Sequence, residues 1–392
     1  MTSHDDAINP FRIDVPQSDL DDLNARIDRA RWPDELPGVG WAYGIPLDYT
    51  KELASYWRAE FDWRAQEAKL NAFPQFTTTI DGQNVHFMHV RSKEPNALPL
   101  LITHGWPGSV VEFTEIIGPL TDPVAHGGQA ADAFHVVAPS IPGFGFSGPT
   151  HDVGWTPKRI ARAWVTLTSR LGYSRYGAQG GDWGSRISRE VGGLDPEHVV
   201  GVHVNSFNTY LKDEGEKAAL TDADRERLER PAQFMKEGMG YGQIQGTRPQ
   251  TLAYALADSP VGQLAWIVEK FSAWTDSGER PEEAIDRDQM LANVTTYWLT
   301  NTAGSSALIY YEFPHSGEQL EPAAQETPTG VAVFPHDIGL PVRSLAEKSA
   351  NIVHWSEFDR GGHFAAMEEP DLLVGDIRAF FRQVLSESAN RN

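Results

Sequence analysis

The sequence predicts an α/β protein: a mostly parallel sheet with helices on both faces, an inserted helical lid, and a helical extension ahead of the sheet. Three observations carry this reading. Short apolar runs alternate with helix-period segments from residue 76 onward. A turn bracketed by glycines, Gly180-Gly181-Asp182-Trp183-Gly184, joins a β-like run to a helix-like run. The alternation stops over residues 205–328, which read only as helices, and then resumes. The expected organisation is a helical extension at 1–75, the first part of an α/β core at 76–204, a helical lid at 205–328 and the second part of the core at 329–392.

In the extension, Ser18 and Asp21 resemble a capping box ahead of Leu20, Leu23 and Ile27, which share one helical face. Trp32-Pro33 should end that helix. Leu53, Trp57 and Phe61 mark a second helix, and Phe73-Pro74 closes the segment. The region is expected to pack, against the lid among other elements, and to carry no chemistry.

Thr77–Ile80, the turn Asp81-Gly82 and Val85–Val90 predict a hairpin. Leu100–Thr103 predicts a buried strand running into His104-Gly105-Trp106-Pro107-Gly108-Ser109, with a helix from Val110. Phe134–Ala138 is the next strand. Thr156-Pro157 starts a helix whose Ile160, Trp164, Leu167 and Leu171 line one face, and Gly172 stops it. Arg175–Ala178 leads into the glycine turn, and Val199–Val204 follows as a strand. Lid helices are expected at 221–239, 250–257, 261–274 and 287–301. Strands at Val331–Phe334 and Asn351–Trp355 and a helix from Pro370 to Leu385 complete the core.

Composition excludes several classes. The chain has 392 residues, 40% hydrophobic and 22% charged, an ordinary globular profile. A formal charge of −21 argues against nucleic acid as a partner. The absence of cysteine rules out disulfides, thiolate metal sites and a cysteine nucleophile. Residues 1–8 carry no apolar signal-like segment, and no run of about 18 or more apolar residues occurs, so a soluble cytoplasmic protein with no membrane partner is expected. Monomer and homodimer both stay open.

Glycines two positions before and two after a central residue form the pattern of a nucleophile elbow, the strand-to-helix turn that lifts one side chain out of the sheet in the α/β-hydrolase fold. Here that residue is Asp182. A carboxylate can attack an electrophilic sp³ carbon and leave an alkyl ester, which water can cleave. A serine at the same carbon would form an ether. Asp182 therefore suits epoxide opening or halide displacement. The fold orders its triad as nucleophile, acid, histidine. His363, in Gly361-Gly362-His363-Phe364, lies between the last strand and the last helix, and Asp337 follows strand 331–334. Asp359 is the alternative acid, and His336 is read as incidental. The amides of Trp106 and Trp183 are the expected oxyanion donors, since Pro107 has no N–H.

These residues resemble the microsomal-type epoxide hydrolases of the α/β-hydrolase superfamily, over nearly the whole chain. The resemblance rests on Pro10-Phe11-Arg12-Ile13 through Arg31-Trp32-Pro33, His104-Gly105-Trp106-Pro107-Gly108, the Asp182 elbow and Gly361-Gly362-His363-Phe364-Ala365. That family often has glutamate where Asp337 stands. Its animal membrane members carry an N-terminal anchor, which the start of this chain is expected to lack. The resemblance implies two lid tyrosines that hydrogen-bond the epoxide oxygen, matching Tyr241 and Tyr310, with Tyr311 a rival for the second. It implies a small apolar or aromatic epoxide and water as reactants, with no metal and no organic cofactor. A haloalkane dehalogenase, using the Trp183 indole as halide donor, and a non-catalytic ligand-binding member of the fold are the competing classes.

Overall fold

The computed structural model describes residues 7–319 and 325–389. Residues 1–6, 320–324 and 390–392, which the expected extension, lid and second core segment include, lie outside the described residues. The strands are β1 Asn9–Phe11, β2 Gln75–Ile80, β3 Gln83–Val90, β4 Leu98–Thr103, β5 Phe134–Pro139, β6 Tyr176–Gly180, β7 Val199–Val204, β8 Gln325–Val333 and β9 Ala350–Glu357. They form one sheet in the order β1-β2-β3-β5-β4-β6-β7-β8-β9. Pairing is antiparallel from β1 to β5 and parallel from β5 through β9. The predicted hairpin turn is present: Asp81 and Gly82 have φ of 52° and 78°, and Ile80 faces Gln83.

Strand alternation divides the core between two faces. Leu101, Val137, Ala178 and Val202 pack with Ile160, Trp164, Ile187 and Val191 of the helices Pro157–Arg170 and Asp182–Leu194. Their neighbours Leu100, Ile102, Val136 and Ala138 point the other way, onto Ile116, Leu120, Ile377 and Phe380 of the helices Thr114–Thr121 and Pro370–Ala389. Central strands buried on both faces explain the unbroken apolar runs. Each such large side chain contributes ~1.5–3 kcal/mol by leaving water.

The N-terminal region differs in detail from the sequence reading. Its first helix, Gln17–Asp28, is entered through Pro16 and has no side-chain cap; Ser18 bonds Asp19 instead of closing a box with Asp21. Pro16, whose fixed φ suits helix entry, starts the helix ahead of Ser18, which therefore falls inside it. The second helix is Leu47–Ala59, with Phe61 just beyond it, and a third, Trp63–Leu70, was not expected. Pro10-Phe11 lies in the edge strand β1, not in a helix.

Among the described residues, every element between β7 and β8 is helical. The expected helix at 221–239 is Asp222–Gln233 running into a π-helical turn, Phe234–Gly238. Pro249–Asp258, Pro260–Trp274 and Arg287–Thr300 lie close to expectation, and Gly240–Thr247 and Leu308–His315 are helices beyond the expected four. The N-terminal helices clasp this lid. The Trp57 indole donates to Thr295 Oγ1 (2.9 Å), the Tyr56 hydroxyl to Asp288 (2.8 Å) and the Tyr49 hydroxyl to Glu282 (2.9 Å). Among the described residues, no helix is long and apolar enough to cross a membrane.

Candidate active site

Strand β6 ends at Gly180, and Asp182 opens the next helix with φ of 47°. A non-glycine residue held there costs about 1–3 kcal/mol. The backbone strain thus sits on Asp182 itself, not on the flanking glycines, none of which has positive φ. Those glycines answer to space. A Cβ on Gly180 would meet the Gly184 carbonyl, and one on Gly184 the Thr103 carbonyl. One on Gly105 would occupy the place of the Asp182 carboxylate.

Strand β4 delivers the loop 104–109 beside the elbow. The Trp106 amide donates to Asp182 Oδ1 at 2.8 Å, and the neighbouring Trp183 amide favours the charged carboxylate. The lid holds the loop in place. Asn293 Nδ2 donates to the Pro107 carbonyl (2.8 Å), Tyr297 to the Gly108 carbonyl (2.7 Å), and Ser109 to Asn293 Oδ1 (2.7 Å).

His363 and Asp337 converge from the loops after β9 and β8. His363 Nδ1 donates to Asp337 Oδ1 at 2.6 Å, and Nε2 stands 3.6 Å from Asp182 Oδ2. The Ile338 amide adds a 2.7 Å bond to Asp337 Oδ1, and the His363 amide donates to the Trp274 carbonyl at 2.8 Å. The rivals lie elsewhere. The Asp359 side chain is 92% exposed, and His336 pairs with Asp276 at 3.2 Å.

Tyr241 and Tyr310 meet above this group, their hydroxyls 3.5 Å apart. The Tyr241 ring stacks on Trp106 (4.8 Å, 6°), and Tyr310 stands edge-on to Trp106 (5.8 Å) and Trp183 (5.0 Å). Tyr311 points outward, 37% exposed and stacked on His315. The structure therefore brings Tyr310 to the site and leaves Tyr311 out.

A cavity of about 10 Å³, close to the space of one water, is lined by Gly105, Trp106, Glu112, Asp182 and His363 among others. Neither tyrosine lines it. Glu112 escaped the sequence reading because nothing in Val111-Glu112-Phe113 distinguishes it from a solvated helix residue. Burial, reinforced by Asp182 and opposed by His363, pushes its carboxyl up to about 8. Burial also raises Asp182, against the pull of His363 and the two amides. For His363 burial favours the neutral ring, but Asp337, Asp182 and Glu112 outweigh it and raise the imidazole to about 9. Burial drives both tyrosine hydroxyls well above their usual range. Among the described residues, no group of three or more His, Asp or Glu is arranged to hold a metal ion.

Sheet order, elbow and inserted helices together define an α/β-hydrolase with a carboxylate at the elbow. Comparison with known proteins narrows the class. The family profiles "Epoxide hydrolase N terminus" and "alpha/beta hydrolase fold" match residues 8–113 and 99–239. A Stigmatella aurantiaca protein is 47% identical over 96% of this chain and 85% of its own length. Epoxide hydrolase 1 of Oryctolagus cuniculus is 38% identical over 96% of this chain and 89% of its own length. The solved structure of Aspergillus niger epoxide hydrolase superposes with a TM-score of 0.84 at 34% identity, covering 96% of this chain and 97% of that one. This chain belongs to the epoxide hydrolase family.

Proposed function

We propose that the enzyme converts an apolar or aromatic epoxide into a vicinal diol through a covalent ester on Asp182. The carrying observation is the asymmetry of that carboxylate. Oδ1 is gripped by the Trp106 amide, while Oδ2 faces His363 Nε2 at 3.6 Å. Oδ2 attacks an oxirane carbon, the C–O electron pair moves to oxygen, and Tyr241 or Tyr310 gives that oxygen a proton. Oδ1 becomes the ester carbonyl oxygen, already seated on the Trp106 amide.

Ester formation removes the negative charge of Asp182, one of the charges that keep His363 protonated. The imidazolium then loses its proton, and the phenolate regains one. Neutral His363, oriented by Asp337, takes a proton from a water in the small cavity as that water attacks the ester carbon. Collapse releases the diol and restores the Asp182–His363 ion pair, so epoxide and water are the only reactants. No step calls on a metal or organic cofactor. The aromatic wall of Trp106, Trp183, Trp274 and the two tyrosines suits an apolar or aromatic substrate. A cytoplasmic setting belongs to the same reading.

A single turnover in ¹⁸O-water tests it. Mainly unlabelled diol is expected, because one original Asp182 oxygen leaves with the product. Mainly labelled diol would make Asp182 a general base and overturn the covalent route.

A further inference from the structure

Lys270 is one of the buried charged residues that the mechanism leaves unused. It sits on the lid helix Pro260–Trp274 and is only 6% exposed. Its ammonium pairs with Glu269, the residue before it, and otherwise faces aromatic rings. Nζ lies 4.6 Å from the centre of the Tyr241 ring and 5.7 Å from that of Trp274. The Trp106 indole stacks on the same tyrosine ring at 4.8 Å and 6°. Burying an ammonium is expensive unless it is compensated. A carboxylate that is itself partly exposed and two π faces offset that cost only in part. What the charge does at this position follows from which ring it faces.

We infer that Lys270 is a positioning residue for ring opening, holding Tyr241 against Trp106 and stabilising the phenolate that forms as Tyr241 protonates the epoxide oxygen. The inference rests on the assignment of Tyr241 as a proton donor. In that step the oxirane C–O pair goes to oxygen, oxygen takes the phenol proton, and the former O–H pair remains on Tyr241. A cation over the ring is attracted more strongly to phenolate than to phenol, so its interaction grows along the reaction, which is what accelerates a step. Burial, Asp182 and Glu269 all oppose loss of the Tyr241 proton. Lys270 is a cation placed against them. Ester hydrolysis creates no charge on Tyr241 and should not depend on it.

The experiment is a double-mutant cycle read by single-turnover alkylation and by ester hydrolysis, with styrene oxide as the probe. Lys270→Met keeps bulk and removes charge, and the lysine and methionine forms are compared in a Glu269→Gln background, so that no carboxylate is stranded and the opposition from Glu269 is absent from both. Loss of the cation should slow alkylation about 10-fold, the scale of a desolvated cation–π contact, and leave ester hydrolysis unchanged. Lys270→Arg should recover most of the alkylation rate. In a Tyr241→Phe background the Lys270 change should have almost no further effect. An equal slowing in that background, equal loss in both half-reactions, or failure of arginine to rescue would overturn the inference. Should Tyr241→Phe alone leave alkylation at the wild-type rate, the donor assignment falls, and the role given to Lys270 falls with it.

Discussion

The Tyr297 hydroxyl donates to the Gly108 carbonyl at 2.7 Å, tying a lid helix to the loop whose Trp106 amide grips Asp182. A residue that touches no reacting atom thus helps to anchor that loop. Tyr297→Phe should leave a buried carbonyl unsatisfied and cost about 1–3 kcal/mol of stability. Under the proposed route both half-reactions should slow, because the same amide would serve the carboxylate and the tetrahedral intermediate. Thermal melts and stopped-flow rates check this. A variant that melts normally and turns over at the wild-type rate would show that the loop holds its shape unaided.

The His363 imidazole, raised to about 9, is expected to be charged in the resting enzyme at neutral pH. Asp182→Asn removes one of the carboxylates that raise it and should lower that pKa, as the proposed ester would. Histidine NMR titration of the two proteins reads the shift directly. A group raised in the folded state contributes stability below its unfolded pKa, near 6.5, and loses it as pH climbs through about 9. In the Asn variant that loss should come at lower pH.

Each of Tyr241→Phe and Tyr310→Phe should slow alkylation, by roughly 100-fold if each phenol contributes like one oxyanion donor. The double variant should be nearly inert toward epoxides. Tyr311→Phe should behave as wild type, since that side chain faces outward. Normal single-turnover alkylation in the double variant would remove the tyrosines from the mechanism.

Asp337→Asn should spare alkylation and cripple ester hydrolysis, on the order of 10³-fold or more, because the imidazole loses the partner that fixes its tautomer. Ester should then accumulate on the Asp182 peptide, visible by mass spectrometry. Asp359→Asn should have no effect. The reverse pattern would transfer the supporting role to Asp359.

Much of this was legible in the sequence because it is local. The elbow needs glycine where Gly184 meets a neighbouring carbonyl, and the core needs apolar residues where Leu373, Ile377, Phe380 and Val384 face the sheet. Such requirements leave fixed spacings. Tyr310 could be set apart from Tyr311 only by seeing which way the helix turns. Glu112, Tyr297 and Lys270 left no mark, since each matters through a partner far away in the chain or through burial that others impose. Ser18 misled for a related reason: a capping pattern has no force where Pro16 has already begun the helix.

The bonds from Trp57, Tyr56 and Tyr49 into the lid bear on how this enzyme could be re-engineered. The inserted helices and the helices before β2 are separated in sequence by the whole first half of the core, yet these bonds join them as one part. A chimera made to borrow another relative's substrate range by exchanging 205–328 alone would join mismatched halves of that part. The unit to transplant is discontinuous: the inserted helices together with the three helices before β2.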